Sequence, residues 1–174
     1  NYENRPYGLS SVALAAALFP PEHPYSWVTI GAPEDLLAST VDDARQFFRT
    51  FYHPSNASVA IAGDVDVDET LALVERYFGE IAPGPAVMQP RRSASLSAPA
   101  SLVLEDRVEL PRLSLAWHTP AMFHDDDAAM DIAADVLSNG KTSRLYRTLV
   151  YDTRLAADVS AIQASREMSS VFQV

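Results

Sequence analysis

Cysteine is absent from the 174-residue chain, which excludes disulfides, thiolate zinc sites, iron–sulfur clusters and thiol catalysis. Positive charge is scarce: 13 Lys and Arg stand against 23 Asp and Glu, a formal charge of −10. Phosphate backbones are bound through clustered cations, so this balance argues against a nucleic-acid partner. No apolar run reaches the ~18 residues needed to span a bilayer. The longest candidate, Val12 to Phe19, is too short and has no basic segment before it, so it does not read as a signal peptide either. Glycine is too sparse for a phosphate cradle: Gly63-Asp64 follows an apolar run but offers one Gly only, and no Gly-x-Ser-x-Gly elbow occurs.

What is present is ordinary globular material. With 48% hydrophobic, 21% charged and 9% aromatic residues, the chain has enough apolar content for a core and too little bias for disorder. Its length suits one average domain or two small or incomplete ones. The clearest discontinuity is Pro83 to Ala100, which holds four of the twelve prolines and almost no periodic apolar pattern; it reads as a linker. Charge changes across it, from 12 acids and 4 bases in residues 1–85 to 11 acids and 9 bases in 86–174. The division expected is therefore 1–85, a Pro/Ser-rich linker at 86–100, and 101–174. The start at Asn1 without Met, and a strand-like run still open at Val174, read as cut ends.

In the first part, Leu9 to Phe19 reads as a buried helix stopped by Pro20-Pro21. Thr40 can cap a second helix through its hydroxyl, with Asp42 and Asp43 at the positive end of the dipole. Ala44, Phe47, Phe48 and Phe51 recur there at helical spacing, up to His53-Pro54. Ala57 to Ala62 reads as a short strand buried on both faces. Asp66 caps a third helix that runs through Phe78 to a stop at Gly79. In the second part, Leu102 to Leu110 and Arg112 to Trp117 are strand-like, separated by Pro111. A helix follows Asp125-Asp126-Asp127 and closes at Asn139-Gly140; Ser143 to Tyr151 reads as a shorter helix, and Ala156 to Ala164 and Ser169 to Val174 as strands. The fold class expected is α+β, helices packed on mixed or antiparallel sheets in two partial domains.

Candidate chemistry is thin. The histidines, His23, His53, His118 and His124, include no pair at the i, i+4 spacing that sets two imidazoles on one helical face. His124 with Asp125 to Asp127, joined by His118, offers oxygen donors for Ca²⁺ or Mg²⁺. Three acids at a helix start are explained as well by the helix dipole and its free N–H groups. His23-Pro24-Tyr25 has no nucleophile motif beside it, so a packed, hydrogen-bonded loop histidine is the better reading. Arg144 and Arg147, with Lys141, are able to meet a carboxylate, but on a helix with Leu145, Tyr146 and Leu149 they read as its solvated face. No catalytic, cofactor-binding or metal residue is assigned.

The ordered set Asn1-Tyr2-Glu3-Asn4-Arg5-Pro6, His23-Pro24-Tyr25, Ile30-Gly31, Glu34-Asp35-Leu36, Asp43 with Phe47, Tyr52-His53-Pro54-Ser55-Asn56-Ala57, Ala60-Ile61-Ala62-Gly63-Asp64 and Tyr77-Phe78-Gly79 closely resembles the zinc metallopeptidases of the pitrilysin and insulinase family. Mitochondrial processing peptidases and bacterial zinc proteases belong to that group. Leu115-Ala116-Trp117-His118-Thr119-Pro120, the helix to Leu137, and Gly140 with Ser143-Arg144-Leu145-Tyr146 resemble the start of the family's following repeat.

The resemblance implies repeated α+β domains, an active one carrying the inverted zinc motif HxxEH with a further Glu ligand downstream, and a motif Glu that activates water for attack on a peptide carbonyl. This chain contains no HxxEH; by the family's order the zinc ligands are expected upstream of Asn1, and Glu3 is given no such role. The helix at the matching place of the second part reads DDDAAMDIAADVLS, without His or Glu, and resembles the non-catalytic repeat. The expectation is thus a segment of a zinc metalloendopeptidase acting on peptides or unfolded segments. It serves as scaffold and chamber wall, binds no zinc itself and is inactive alone. The alternative within the family is a subunit that lost the motif and serves as partner or structural protein. A homologous subunit or self-association is the expected macromolecular partner, and the periplasm or cytoplasm of a bacterium the expected compartment.

Overall fold

The computed structural model describes residues 5–88, 92 and 94–174; of the motifs above, Asn1 to Asn4 lie outside them. By their contacts the residues form two compact units, one of Asn1–Ile30 with Arg91–Val174 and one of Gly31–Pro90. One boundary falls inside the proline-rich stretch. The other, at Ile30 and Gly31, differs from the linear division into 1–85 and 101–174, because the first helix finds its apolar partner in the C-terminal sheet.

That sheet is small and antiparallel, ordered β1-β3-β2, with β1 at Ala116–Thr119, β2 at Ile162–Ala164 and β3 at Ser170–Gln173. Trp117 faces Phe172 and His118 faces Val171 across one ladder; Gln163 faces Phe172 across the other. Successive β3 side chains alternate between faces. Val171 joins Leu18 and Phe19 of the first helix, α1 (Ser10–Leu18), with Leu14, Tyr25 and Ala116 around them. Phe172 joins Ala134 of α5 (Asp127–Ser138) and Ala161, with Met130, Ala133 and Leu137. The first unit is therefore a helix, sheet, helix sandwich, and the burial of Val171 and of Phe172 contributes about 1.5–3 kcal/mol each. Fold class α+β is what the sequence pattern implied.

α1 forms from Ala and Leu, strong helix formers, and stops where Phe19, before Pro20, turns extended. Only its last residue, Leu18, is buried, so the helix docks by its C-terminal end. α5 ends as expected at Asn139, after which Gly140 takes φ +80°, open to Gly at little cost. The expected helix at Ser143 to Tyr151 is instead π-helical over Tyr146–Asp152.

The second unit contains α2 (Pro33–Ala38), α3 (Val41–Phe51) and α4 (Val67–Phe78). α3 starts with a full capping box: Thr40 accepts the Asp43 N–H at 3.2 Å and Asp43 accepts the Thr40 N–H at 2.8 Å. The Thr40 hydroxyl, which also donates to Asp43 Oδ2 at 2.6 Å, and then the Thr40 N–H hold the Asp43 carboxyl below its ordinary value. Asp66 caps α4 by accepting the Glu69 N–H at 2.9 Å. Gly79 follows α4 but keeps right-handed angles (φ −64°), so it is not the left-handed stop that a terminal glycine suggests. α2 escaped the periodicity reading, although Pro33 at its first turn with Glu34 and Asp35 is a start signal.

Two expected strands fail and two are shortened. Ala57 to Ala62 is irregular and exposed, Val59 at 62% and Ile61 at 52%. Leu102 to Leu110 is likewise irregular, with Val103 89% exposed. Ala156 to Ala164 is a strand only over its last three residues, and in Arg112 to Trp117 the strand begins at Ala116. An apolar run becomes a strand only when a neighbour completes its hydrogen bonds, and among the described residues none pairs with 57–62 or 102–110.

Candidate functional site

The histidines are placed by hydrogen bonds rather than left free for chemistry. His23 is fully buried; its Nδ1 accepts the Tyr25 N–H at 3.1 Å, so Nε2 carries the proton and donates to the Arg92 carbonyl, also at 3.1 Å. The ring lies 4.8 Å from that of Phe19 and 5.0 Å from that of Tyr25. This is the packed loop histidine the sequence suggested. His118, on β1, donates from Nε2 to the Leu18 carbonyl at 2.8 Å and accepts the Ser169 hydroxyl at Nδ1, 3.2 Å. It ties the end of α1 to the sheet.

His53 is buried, with Nε2 bonded to the Thr50 carbonyl at 2.9 Å and Nδ1 without a hydrogen-bond partner among the described residues. Gly84 lies so close to its ring that a Cβ there would overlap the imidazole. His124 is exposed and accepts the Asp126 N–H at 3.2 Å.

The acidic cluster at α5 works differently from a simple cap. Asp126 stands at the N-cap but makes no side-chain cap bond. Asp127 is buried, and accepts from Ser165 at 2.7 Å and Gln163 at 3.1 Å through Oδ1 and from the Phe123 N–H at 3.2 Å through Oδ2. The Ser165 bond first and then the Gln163 bond hold its carboxyl below the ordinary range, against desolvation, which raises it. Asp127 is thus a structural pin between the start of α5 and β2. Its oxygens already have protein donors, and among the described residues no group of three or more His, Asp or Glu is placed to hold a metal ion.

Lys141 and Arg147 do come together. They line an open groove of about 540 Å³ with Thr142, Tyr146, Val150 and Tyr151, along the π-helix. Arg144 is exposed but does not line it. The sequence signal was present in the basic residues themselves; an ordinary helix in place of the π-helix concealed the groove.

The family model described as Peptidase M16 inactive domain matches residues 38–174. The chain belongs to the peptidase M16 family. Among M16 relatives it is similar to the zinc protease PqqE of Helicobacter pylori, 31% identical over 157 residues that make up 86% of this chain and 35% of that protein. It is also similar to the uncharacterized zinc protease ML0855 of Mycobacterium leprae, 32% identical over 155 residues, 84% of this chain and 35% of the relative. The chain thus spans about a third of the length of these curated relatives. A solved protease from Helicobacter pylori superposes with a TM-score of 0.80 at 28% identity, covering 99% of this chain and 42% of that one. The peptidase M16 inactive domain from Pseudomonas fluorescens shares the fold, at a TM-score of 0.74 and 20% identity, over 99% of this chain and 42% of that one.

M16 membership agrees with the pitrilysin and insulinase resemblance carried by the ordered motifs. It also raises zinc, which the relatives' names carry. The residues present do not fit that ion: the chain has no HxxEH, and both ring nitrogens of His23 and His118 are already hydrogen-bonded.

Proposed function

We propose that this chain is the scaffold and substrate-chamber wall of a zinc-dependent endopeptidase that cuts peptides or unfolded segments. The observation that carries the reading is the match of residues 38–174 to a domain described as inactive, in a chain without HxxEH. Residues 1–85 are the C-terminal part of a catalytic-type repeat and 101–174 the N-terminal part of the next, non-catalytic one, joined by 86–100. The zinc ligands then lie upstream of Asn1, in a protein of the bacterial periplasm or cytoplasm.

Two experiments test this. Reading the coding region upstream of Asn1 should find HxxEH followed by a further Glu; the same fold pattern with those positions replaced would make the protein a partner or structural subunit. The purified 174-residue chain should bind no zinc and cleave no peptide, and a chelator-sensitive activity restored by zinc would overturn that part. The second unit supports the association expected from the sequence, because Phe47, Phe48, Leu71 and Tyr77 are all more than half exposed on its helices. Light scattering should show the chain associating with a homologous subunit or itself; a strictly monomeric chain would count against it.

A further inference from the structure

The groove along the π-helix combines clustered cations with an irregular backbone. Between 141 and 154 the chain carries Lys141, Arg144, Arg147 and Arg154 against the single acid Asp152, a local excess of cations in a chain of formal charge −10. Lys141 is the only lysine present. Lys141 and Arg147 line the groove, whose remaining wall is Thr142, Tyr146, Val150 and Tyr151.

The backbone beneath is irregular in a defined way. The Thr153 N–H reaches the Thr148 carbonyl, five residues back, at 3.0 Å, and the Thr153 hydroxyl donates to the same oxygen at 2.7 Å. Arg154 then takes a left-handed φ of 52°. π-Helical turns are uncommon and concentrate at functional sites. The cations are uncommitted: Arg147 Nε stands 3.8 Å from Asp152 with both side chains at least half exposed, a pair too open to hold either strongly. Lys141 makes no ion pair among the described residues.

We propose that this groove binds a carboxylate of a peptide, held by Lys141 and Arg147, with Tyr146, Val150 and Tyr151 against the neighbouring apolar or aromatic residue. A carboxylate matches an ammonium and a guanidinium that line one groove, and the phenol rings offer apolar faces with polar ends. A long polyanion would extend beyond the basic patch and meet the net negative charge of the rest of the chain; one carboxylate on a short peptide engages the cations without that repulsion, which is screened within about 8–10 Å. The choice of a peptide as ligand rests on the peptidase reading, but binding needs neither zinc nor cleavage. The two readings therefore fail separately.

The test is fluorescence anisotropy of labelled peptides on the 174-residue chain, without metal. One peptide carries an internal Glu beside Phe with an amidated C-terminus, a second has Gln in place of Glu, and a third has Gln with a free C-terminal carboxylate. The first or third, or both, should bind about tenfold or more tighter than the second, and which one does identifies the source of the carboxylate. Arg147→Glu and Lys141→Glu should each weaken that binding by a similar factor, Lys141→Gln by less, and Asp152→Asn should tighten it slightly by removing the one acid among these cations. Bound peptide should also protect Lys141 from amine acylation, mapped by mass spectrometry. Equal binding of all three peptides, no binding of any, indifference to both charge reversals in variants of unchanged circular dichroism, or displacement by inorganic phosphate as effective as by peptide would each overturn the proposal.

Discussion

The two compact units share a vocabulary of capped helices and differ in what those helices touch. In the first, the β3 side chains Val171 and Phe172 point to opposite faces and each meets a helix. In the second, α3 has a full capping box and a clean apolar stripe, yet Phe47 and Phe48 remain 53% and 57% exposed and none of its residues is buried. Good local signals place a helix; they do not bury it. Burial needs a complementary surface, and most helical stability in proteins comes from that packing.

The contrast is broken most severely at Phe172. Phe172→Ala removes the shared contact of β3 with α5 and should cost about 3–5 kcal/mol. Amide exchange should then accelerate throughout the β1-β3-β2 sheet while the α3 and α4 amides keep their rates. Acceleration in both units alike would mean that they unfold as one. In the second unit the largest effect available is Gly84→Ala, whose new Cβ meets the buried His53 ring. It should cost about 1–3 kcal/mol as overpacking, visible as a shift of the His53 ring resonances in NMR; an unchanged spectrum would show that the approach is not tight.

Thr40→Ala removes one half of the capping box and should lower the stability of α3 by about 1 kcal/mol. Far-UV circular dichroism on heating should show less helix lost last, and Thr40→Ser should restore it. The smallest effect is on acid titration. Asp127 and Asp43 both have folded values below the unfolded one, so each contributes stability that is present above the ordinary carboxylate range and lost as the pH falls through the lowered value, below about pH 4. Asp127→Asn should flatten the acid-unfolding curve of the first unit and Asp43→Asn that of α3. Equal curves for wild type and both variants would show that neither bond matters to folding.

Legibility followed distance along the chain. The Thr40 and Asp66 caps, the end of α1 before Pro20 and the Asn139-Gly140 turn were all readable, because each depends on residues within four or so positions. The strand reading of Ala57 to Ala62 failed although the run is apolar, since a ladder partner has no signature in the run itself. Asp127 was legible as an acid at a helix start, but its bonds to Gln163 and Ser165 lie more than thirty residues away. The motif order that identified the M16 family needed no geometry at all, and neither did the absence of HxxEH.

The amino-acid sequence by itself therefore determined the family, the positions of the capped helices, the want of a zinc motif and the cluster of cations at 141 to 154. Those properties are either composition or interactions between near neighbours, for which chain connectivity already supplies the proximity. Only the tertiary structure decided that α1 folds with the C-terminal sheet, that His23 and His118 spend both ring nitrogens on hydrogen bonds, and that Lys141 and Arg147 share one groove. Each of those joins residues far apart in the chain or depends on a π-helical register, and is settled by which surfaces and donors are left to meet once the local elements have formed.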